Sequence, residues 1–312
     1  MPALAETDFC SKYYRMKPVA VFALLGTIFV WASAFAAIRL ALASYSPGAL
    51  ALFRFSVASV VLGIISLSRG ARRPQLKDLP IITVCAFLGV TVYHLALNYG
   101  QVNVKAGPAA FLINSGHIFT ALLAYVILKE RLSFMGWLGM FVSLGGVALL
   151  AFREGAGFTF EPGVLLILLS AASASVYVVL QKQCLERYGA LEFATYVICI
   201  GTLFMLVYVP ELQHDLANSP LKNTLAVVYL GAIPAAMGYL GWTYVLSQLP
   251  ASKAVSFLYL VPVLATAIAW YWLREAPSKT QNIGGALALL GVIIVQRYGK
   301  TTIAGAESAS ST

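Results

Sequence analysis

The stretch YVILKERLS at residues 125–133 returns as a looser copy, WYWLREAPS, at residues 270–278. Each copy ends an apolar run with leucine, a basic residue and glutamate, and the two glutamates are Glu130 and Glu275. The copies stand 145 residues apart in a chain of 312 residues that contains 12 acidic residues. Because a match between two acidic residues is uncommon in so apolar a chain, the repeated phrase predicts an internal duplication.

Both copies lie in a chain whose composition is that of a membrane protein. Hydrophobic residues make up 60% of it and charged residues 11%, whereas a soluble domain carries about 25% charged residues. A helix needs about 20 apolar residues to cross the hydrocarbon layer. That window predicts an all-α integral membrane protein with short loops, the longest near residues 211–222, and ten transmembrane helices, at residues 18–43, 47–68, 79–100, 105–128, 134–152, 162–182, 191–210, 223–246, 251–273 and 280–297.

The duplication can be followed without a gap over two predicted helices and the loop between them. A shift of 145 residues places Gly139 on Gly284, and a shift of 142 near the start of the chain places WASAF (31–35) on SASVY (173–177). We therefore predict two five-helix repeats with a tail at each end. The divisions are a cytoplasmic tail at 1–17, a first repeat at 18–152, a second, inverted repeat at 162–298 and a disordered cytoplasmic tail at 299–312.

The basic residues are spread unevenly between the two sides of the membrane. With the amino terminus in the cytoplasm, 14 of the 21 Lys and Arg residues fall on that side and five on the other, while Arg39 and Arg54 lie within helices. This excess is the positive-inside bias of membrane proteins. It predicts a multi-pass protein of the bacterial inner membrane with both termini in the cytoplasm. It also accounts for the net charge of +9 without nucleic acid as a partner.

The number of helices in each repeat fixes how the repeats are related. Five is an odd number, so the second repeat is expected to cross the membrane in the opposite direction from the first. Inverted repeats around a central cavity are typical of secondary transporters, which expose one site alternately to either side. The sequence therefore predicts a carrier that works by alternating access.

The chain resembles the EamA-type exporters of the drug/metabolite transporter superfamily. The resemblance covers residues 18–298 and rests on the WASAF segment of the first helix, on Arg54 in the second, and on the helix ends LKERLS and LREAPS. Within the superfamily the chain is most similar to the YddG-type exporters of amino acids. The resemblance implies a basket of helices around a central cavity, with no ATP and no cofactor.

Polar and aromatic residues within the predicted helices are candidates for the lining of that cavity. Polar groups are costly in a bilayer and usually face a cavity or another helix, and aromatic faces can stack a ring or hold a cation. Such a lining suits aromatic and other neutral amino acids, although the same residue types also join packed helices. The residues predicted to bind substrate are His94, Asn98, Tyr99, Asn114, His117, Tyr177, Tyr239, Trp242, Ser256 and Tyr259.

Three prolines within the predicted helices are candidates for hinges. Pro234 and Pro262 are expected to divide the eighth and ninth helices, and Pro108 opens the fourth. Proline removes a backbone hydrogen bond and kinks a helix, and broken helices in transporters can aim backbone groups at the substrate. A static kink is the alternative for each of them.

The driving force is open between two mechanisms. The predicted helices hold no acidic residue in their middle third, where proton-driven cation pumps keep their exchange site, and His94 and His117 are the mid-membrane groups able to titrate near neutral pH. We favour uncoupled export, with a proton-coupled drug or toxic-compound exporter that uses a histidine as the alternative. Arg54 could bond helix carbonyls, extend its charge to the interface or bind a substrate carboxylate.

No catalytic or metal-binding motif is recognisable in the sequence. GxSxG and HExxH patterns are absent, and the four cysteines form no CxxC pair. Because an intramembrane enzyme needs a nucleophile or metal ligands at fixed spacing, we predict that the protein is not an enzyme. An enzyme and a channel are the remote alternatives. The expected partners are a small-molecule substrate and membrane lipid, and the carrier is expected to be a monomer without a metal.

Overall fold

The computed structural model describes residues 18–116, 119–120, 123, 130–151, 161–248, 254, 257–258, 260–298 and 301–303. Within these ranges the chain forms helices and one pair of short strands. In chain order the elements are α1 (Pro18–Ala41), α2 (Pro47–Ser68), a 3₁₀ turn (Leu76–Asp78), α3 (Leu79–Ala86), a π-helix (Phe87–Val92), α4 (Tyr93–Gln101), α5 (Ala106–Asn114), β1 (Glu130–Leu132), α6 (Phe134–Ala151), α7 (Pro162–Cys184), α8 (Ala190–Phe204), a 3₁₀ turn (Leu206–Tyr208), α9 (Val209–Asn218), α10 (Leu221–Leu230), a π-helix (Gly231–Met237), α11 (Gly238–Gln248), α12 (Leu260–Leu273), α13 (Lys279–Tyr298) and β2 (Thr301–Ile303).

Several helices are long and apolar enough to cross a membrane. Among the described residues five continuous helices meet that criterion, and a sixth span results if α8 and the bent segment after it, which meet at 50°, are taken together. The five are Pro18–Ala41, Pro47–Ser68, Leu76–Gln101, Pro162–Cys184 and Leu221–Gln248. Shorter apolar helices lie at Phe134–Ser143, Leu260–Leu273 and Asn282–Gly291. The chain is thus a multi-pass helical membrane protein.

Two of the spans are rods assembled from several helical segments in line. The first rod is Leu76–Gln101 and the second rod is Leu221–Gln248. Each contains a π-helical segment near its middle, at Phe87–Val92 in the first rod and at Gly231–Met237 in the second. Adding 145 to the bounds of the first π segment gives 232–237, which lies within the second. The duplication seen in the sequence therefore extends to an irregularity of the backbone.

Equivalent hydrogen bonds also join the ends of the rods to other helices. In the first half, Arg39 donates from Nη1 to the carbonyl oxygen of Gln101 at 2.7 Å. In the second half, Lys182 donates from Nζ to the carbonyl oxygen of Leu246 at 2.9 Å. Gln101 and Leu246 are 145 residues apart. In each half, therefore, a basic residue near the end of α1 or α7 donates to the equivalent carbonyl group of a rod.

The last helices of the two halves, α6 and α13, pack against each other along their length. Gly291 makes this close approach possible, because a Cβ atom there would collide with the backbone of Gly139 and Ser143. Small residues at such crossings let helix backbones approach closely in membranes. Gly139, which aligns with Gly284 in the sequence, thus lies where the two halves meet.

Glu275, the second glutamate of the repeated phrase, ties three elements together. One carboxylate oxygen accepts from Nε of Arg39 at 3.2 Å, and the other accepts from the backbone N–H of Ala106 at 3.2 Å. Ala106 is the first residue of α5, where an anion satisfies a free N–H and complements the helix dipole. This accounts for a glutamate just after the end of α12, where the apolar run of the helix stops at Leu273.

The polar segment after α8 differs from the prediction. The sequence predicts a loop near residues 211–222, which is wrong, because the helix α9 occupies Val209–Asn218. Its first turn contains Pro210 and Glu211, both favourable at a helix start. Ser46, the N-cap of α2, anchors α9 through its Oγ to Glu211 at 2.8 Å and through its backbone N–H to Asp215 at 2.8 Å.

The predicted disordered tail also contains structure. The prediction of disorder from residue 299 is wrong for Thr301–Ile303, which pair antiparallel with Glu130–Leu132. Strand pairing satisfies backbone groups that would otherwise need water. The segment after the fourth predicted helix is thereby joined to the end of the chain, while most of that helix after Gly116 lies outside the described residues.

Candidate functional site

A cavity of about 140 Å³ lies between the two halves of the chain. The first half contributes to its wall from α1, α2, the first rod and α5, and the second half contributes from α7, the second rod and α12. Apolar and aromatic groups make up most of the wall, with a few polar groups among them. This composition is typical of a small-molecule site.

Four aromatic rings form one side of the cavity. Trp31 lies 5.6 Å from Trp242 and 6.1 Å from Tyr239 between ring centres, and Tyr177 lies 6.4 Å from Tyr239. Trp31 and Tyr177 come from α1 and α7, which are equivalent helices of the two halves. Rings at such spacing present large flat faces that can stack an aromatic ligand or hold a cation.

A chain of hydrogen bonds crosses the cavity from one half to the other. Arg54 Nη1 lies 3.5 Å from His94 Nδ1, His94 Nε2 lies 2.9 Å from the hydroxyl of Tyr239, and that hydroxyl donates to the carbonyl oxygen of Gly89 at 2.7 Å. A guanidinium only donates, so Nδ1 of His94 must accept and Nε2 must carry the proton. The chain is therefore satisfied when His94 is neutral.

The two central residues of these hydrogen bonds, His94 and Tyr239, occupy equivalent positions in the two repeats. His94 plus 145 is 239, the position of Tyr239, and the two side chains are in contact. Two equivalent residues can touch only if both lie near the axis that relates the halves. The cavity is therefore centred close to that axis.

The two π segments each supply a carbonyl group to the site. Tyr239 donates to Gly89, and Trp31 donates from Nε1 to the carbonyl oxygen of Pro234 at 3.1 Å. Gly89 and Pro234 are again 145 residues apart. A π-helical turn interrupts the regular ladder of backbone bonds, and this allows its carbonyl groups to accept bonds from side chains. The irregular turns thus position the aromatic rings.

Two donors in the cavity wall have no protein partner. Among the described residues, Arg54 Nε and the hydroxyl of Tyr177 are buried without a hydrogen bond. Arg54 is 3% exposed, and it has no ion pair with any acidic side chain in the described ranges. Its guanidinium lies 5.3 Å from the centre of the Phe55 ring, which compensates a cation only in part.

The structure brings five of the predicted substrate-binding residues to the cavity wall. These are His94, Asn114, Tyr177, Tyr239 and Trp242. Their role in binding stays a prediction. His117, Ser256 and Tyr259 lie outside the described residues.

Asn98 and Tyr99 do not line the cavity, and the prediction that they do is corrected. Asn98 is fully buried and donates to the carbonyl oxygen of Pro47 at 3.1 Å, so it joins the first rod to the start of α2. Tyr99 follows Asn98 on the helix and points away from the cavity, so its side chain is 40% exposed. Helical spacing predicts that both residues lie near His94, but it does not show which residues border the cavity.

Trp31 and Arg54 line the cavity but are missing from the predicted set. Both carry a detectable signal in the sequence, since each places a polar group inside an apolar helix. Of the three prolines, Pro234 and Pro108 lie as the sequence predicts, within and at the start of their helices, and Pro262 differs because it does not divide its helix. Pro234 lies inside the second π segment as a break, whereas Pro108 and Pro262 lie in the first turns of α5 and α12, where a missing N–H breaks no internal bond.

Comparison with known proteins shows the class and the family. A family model for EamA-like transporters matches residues 18–152 and again residues 161–297. The chain is 42% identical over 264 residues to the uncharacterized transporter YdfC of Bacillus subtilis, with 84% of this chain and 86% of the relative covered. It is 40% identical over 279 residues to a probable terminal-alkyne amino-acid exporter of Streptantibioticus cattleyicolor, with 89% and 93% covered.

A solved crystal structure supports the same fold. It superposes with a TM-score of 0.63 at 22% identity, covering 90% of this chain and 97% of the other. The match to the transporter family over both repeats shows that the chain is a transporter and not an enzyme. It belongs to the EamA-like transporter family, as an EamA-type exporter of the drug/metabolite transporter superfamily.

Proposed function

We propose that the protein exports small neutral amino acids, aromatic ones among them, by uncoupled alternating access. The observation that carries this proposal is a cavity between the two halves whose wall is formed by Trp31, Tyr177, Tyr239 and Trp242. Their faces match the apolar or aromatic side chain of such a substrate. The relative from Streptantibioticus cattleyicolor, named a probable terminal-alkyne amino-acid exporter, supports an amino acid as the substrate class.

Alternating access requires that the two halves be inverted with respect to each other. The odd number of predicted helices in each repeat supports inversion, and the excess of basic residues on one side supports cytoplasmic termini in a bacterial inner membrane. The contact of His94 with Tyr239, and the contacts of both π segments with aromatic rings, join the two halves at the cavity, which supports a site located between them. One chain supplies both halves, so the carrier is proposed to act as a monomer.

The hydrogen bonding of His94 argues against His94 as the proton carrier of the histidine-dependent alternative, and so supports uncoupled transport. Both ring nitrogens are engaged, and Nδ1 faces the positively charged Arg54. Protonation of Nδ1 would set one donor against another and add a second positive charge. A drug exporter driven by a proton on His94 would therefore first have to separate His94 from Arg54.

Counterflow in liposomes tests the amino-acid proposal. Vesicles containing the purified protein are loaded with unlabelled tryptophan, threonine or methionine, and labelled amino acid is added outside. We expect saturable uptake of label faster than in protein-free vesicles, with no change when a pH gradient is imposed. A channel would show no counterflow. If none of the three amino acids moves, the proposed substrate class is wrong, and a rate that follows the pH gradient would contradict uncoupled transport.

A matched pair of tryptophan variants tests whether the cavity is the transport site. Trp242→Ala removes a ring from the wall and is expected to lower the initial rate at low substrate by about two- to tenfold, since an aromatic contact contributes about 0.5–1.5 kcal/mol. Trp270→Ala is the control, because Trp270 is 62% exposed on the outer surface. Equal effects of the two substitutions would remove Trp242 from the site.

A further inference from the structure

We propose that Arg54 binds the carboxylate of the transported molecule, so that the cavity selects small monocarboxylates with an apolar or aromatic body. The inference deepens the proposed function and rests on it for the place of transport. Arg54 reaches the cavity from α2, is almost fully buried, and keeps one nitrogen without a partner. No comparison assigns a role to this residue.

An uncompensated cation inside a membrane protein is costly. A buried charge is stable only when it is paired and hydrogen-bonded, yet no acidic residue within the described ranges pairs with Arg54. No acidic residue of the described ranges lines the cavity. Because the described residues supply no counter-charge, we infer that the transported molecule supplies it and reaches Arg54 through the cavity.

The groups beside the guanidinium of Arg54 compensate its charge only in part. His94 holds one nitrogen of the guanidinium at 3.5 Å, beyond a short hydrogen bond, and Phe55 lies beside it. Neither group carries a negative charge. The unpaired hydroxyl of Tyr177 lies in the same cavity wall. A carboxylate accepts from both a guanidinium and a hydroxyl and prefers the two-pronged contact that arginine offers.

The number of positive charges in the cavity wall indicates which anion fits. Arg54 is the one basic residue in the wall that the structure describes. A single positive charge neutralises a monocarboxylate, whereas a phosphate monoester would leave a negative charge in a mostly aromatic chamber. The four rings then receive the rest of the molecule. A cationic drug without an acid group would meet Arg54 as a like charge.

The test compares an acid with its amide in wild-type and variant proteins. Counterflow is measured with labelled methionine and with labelled methioninamide, which lacks the carboxylate. We expect the wild type to favour methionine by at least about tenfold, and Arg54→Gln to bring the ratio near one, because a hydrogen bond to a charged group is worth about a factor of ten or more. Arg54→Lys keeps the charge without the fork and is expected to fall between. Arg73→Gln, the same change in an exposed loop, should keep the wild-type ratio.

A binding measurement separates this inference from the proposed function. Quenching of tryptophan fluorescence reports on the cavity through Trp31 and Trp242, with phenylacetate and phenylacetamide as probes. If methionine is not transported but phenylacetate binds wild type at least about tenfold tighter than Arg54→Gln does, the carboxylate site stands and the amino-acid proposal falls. If methionine is transported and Arg54→Gln keeps the ratio of acid to amide, or lowers both equally, the carboxylate site is overturned. Arg54→Lys decides the matter if Arg54→Gln does not fold: a wild-type ratio in a protein that lacks the fork would also overturn it.

Discussion

At the scale of single residues, the site depends on His94 and Tyr239, whose side-chain polar atoms are all hydrogen-bonded. Tyr239 is the clearest case, since its hydroxyl accepts from His94 and donates to Gly89. Its ring also forms part of the wall with Trp31. Loss of the Tyr239 hydroxyl would therefore remove a hydrogen-bond partner from two buried groups, Nε2 of His94 and the carbonyl oxygen of Gly89.

A double-mutant cycle measures this contact. Tyr239→Phe and His94→Phe are each expected to lower the stability of the protein, and the two together should cost less than the sum, with a coupling of about 0.6–1.7 kcal/mol, as for hydrogen bonds inside membrane proteins. Thermal unfolding in lipid nanodiscs is the measurement. Tyr271→Phe, which removes a hydroxyl from a ring that is 82% exposed, serves as the control. Additive effects would mean that His94 and Tyr239 do not bond in the membrane.

The sequence predicts the types of residue in the site better than their directions. His94, Tyr239 and Trp242 are polar or aromatic groups in apolar helices, and their placement in a cavity follows from the cost of burying such groups. Asn98 shows the limit of prediction from spacing, because an asparagine that donates to a carbonyl group of a neighbouring helix has the same spacing as one that faces a cavity. The sequence alone leaves three possible roles for Arg54, since only the folded chain shows which groups surround it.

At the scale of helical elements, the two π segments determine how rings from one half rest on the other half. A Cβ atom at Gly89 would collide with the ring of Tyr177, and one at Gly238, just after the second π segment, would lie 2.6 Å from Nε1 of Trp31. Each rod therefore carries a glycine against which an aromatic residue of the opposite half is packed. Contacts this close fix the ring positions without any side chain in between.

Gly89→Ala tests the importance of this close packing. The added methyl group must displace Tyr177, so we expect a loss of stability of about 1–3 kcal/mol, as for an overpacked core, together with slower counterflow. Gly63→Ala is the matched control on α2, where nothing lies within 4 Å of the new carbon. That change is expected to be neutral or to stabilise the helix by about 0.5–1 kcal/mol. Similar behaviour of the two variants in melting temperature and rate would contradict the packing of Tyr177 on Gly89.

The sequence locates the five continuous spans of the described residues well but does not predict their irregular turns. Pro234 signals the break in the second rod, whereas the first π segment, FLGVTV at Phe87–Val92, contains no proline. A π turn of that kind depends on what packs against it, here Tyr177 and Tyr239, and those contacts are distant in sequence. The helix α9 was missed for a related reason, because its polar composition resembles a loop until its anchors on Ser46 are known.

At the scale of the whole molecule, the duplication accounts for most of the architecture. The two family matches, the π segments and the contacts of Arg39 and Lys182 all follow the shift of about 145 residues. A repeat of this kind is visible in the sequence because charged helix ends and glycines at crossings tolerate little change. The direction in which each repeat crosses the membrane rests on counting helices and basic residues.

A pair of equivalent cysteines tests the inversion. Asn103 and Gln248 are 145 residues apart, and both are exposed at the ends of their rods. In a variant without the native cysteines, Asn103→Cys is expected to react with an impermeant maleimide added outside the cell, and Gln248→Cys only from the cytoplasmic side. Both should react after the membrane is permeabilised. Labelling of both from the same side would mean that the repeats are parallel, and the alternating-access proposal would fail.

The contact between His94 and Tyr239 has a consequence for the origin of the chain. A half-length ancestor assembled as a homodimer would have set one residue against its own copy at this point, so both partners had to be identical. In a single chain that restriction is absent, and here one position carries a ring with two nitrogens and the other a single hydroxyl. The segment equivalent to Arg54, residues 196–199, likewise holds no basic residue. The two halves thus share backbone features while their side chains differ, and a chamber with unlike halves can distinguish the head of a molecule from its tail.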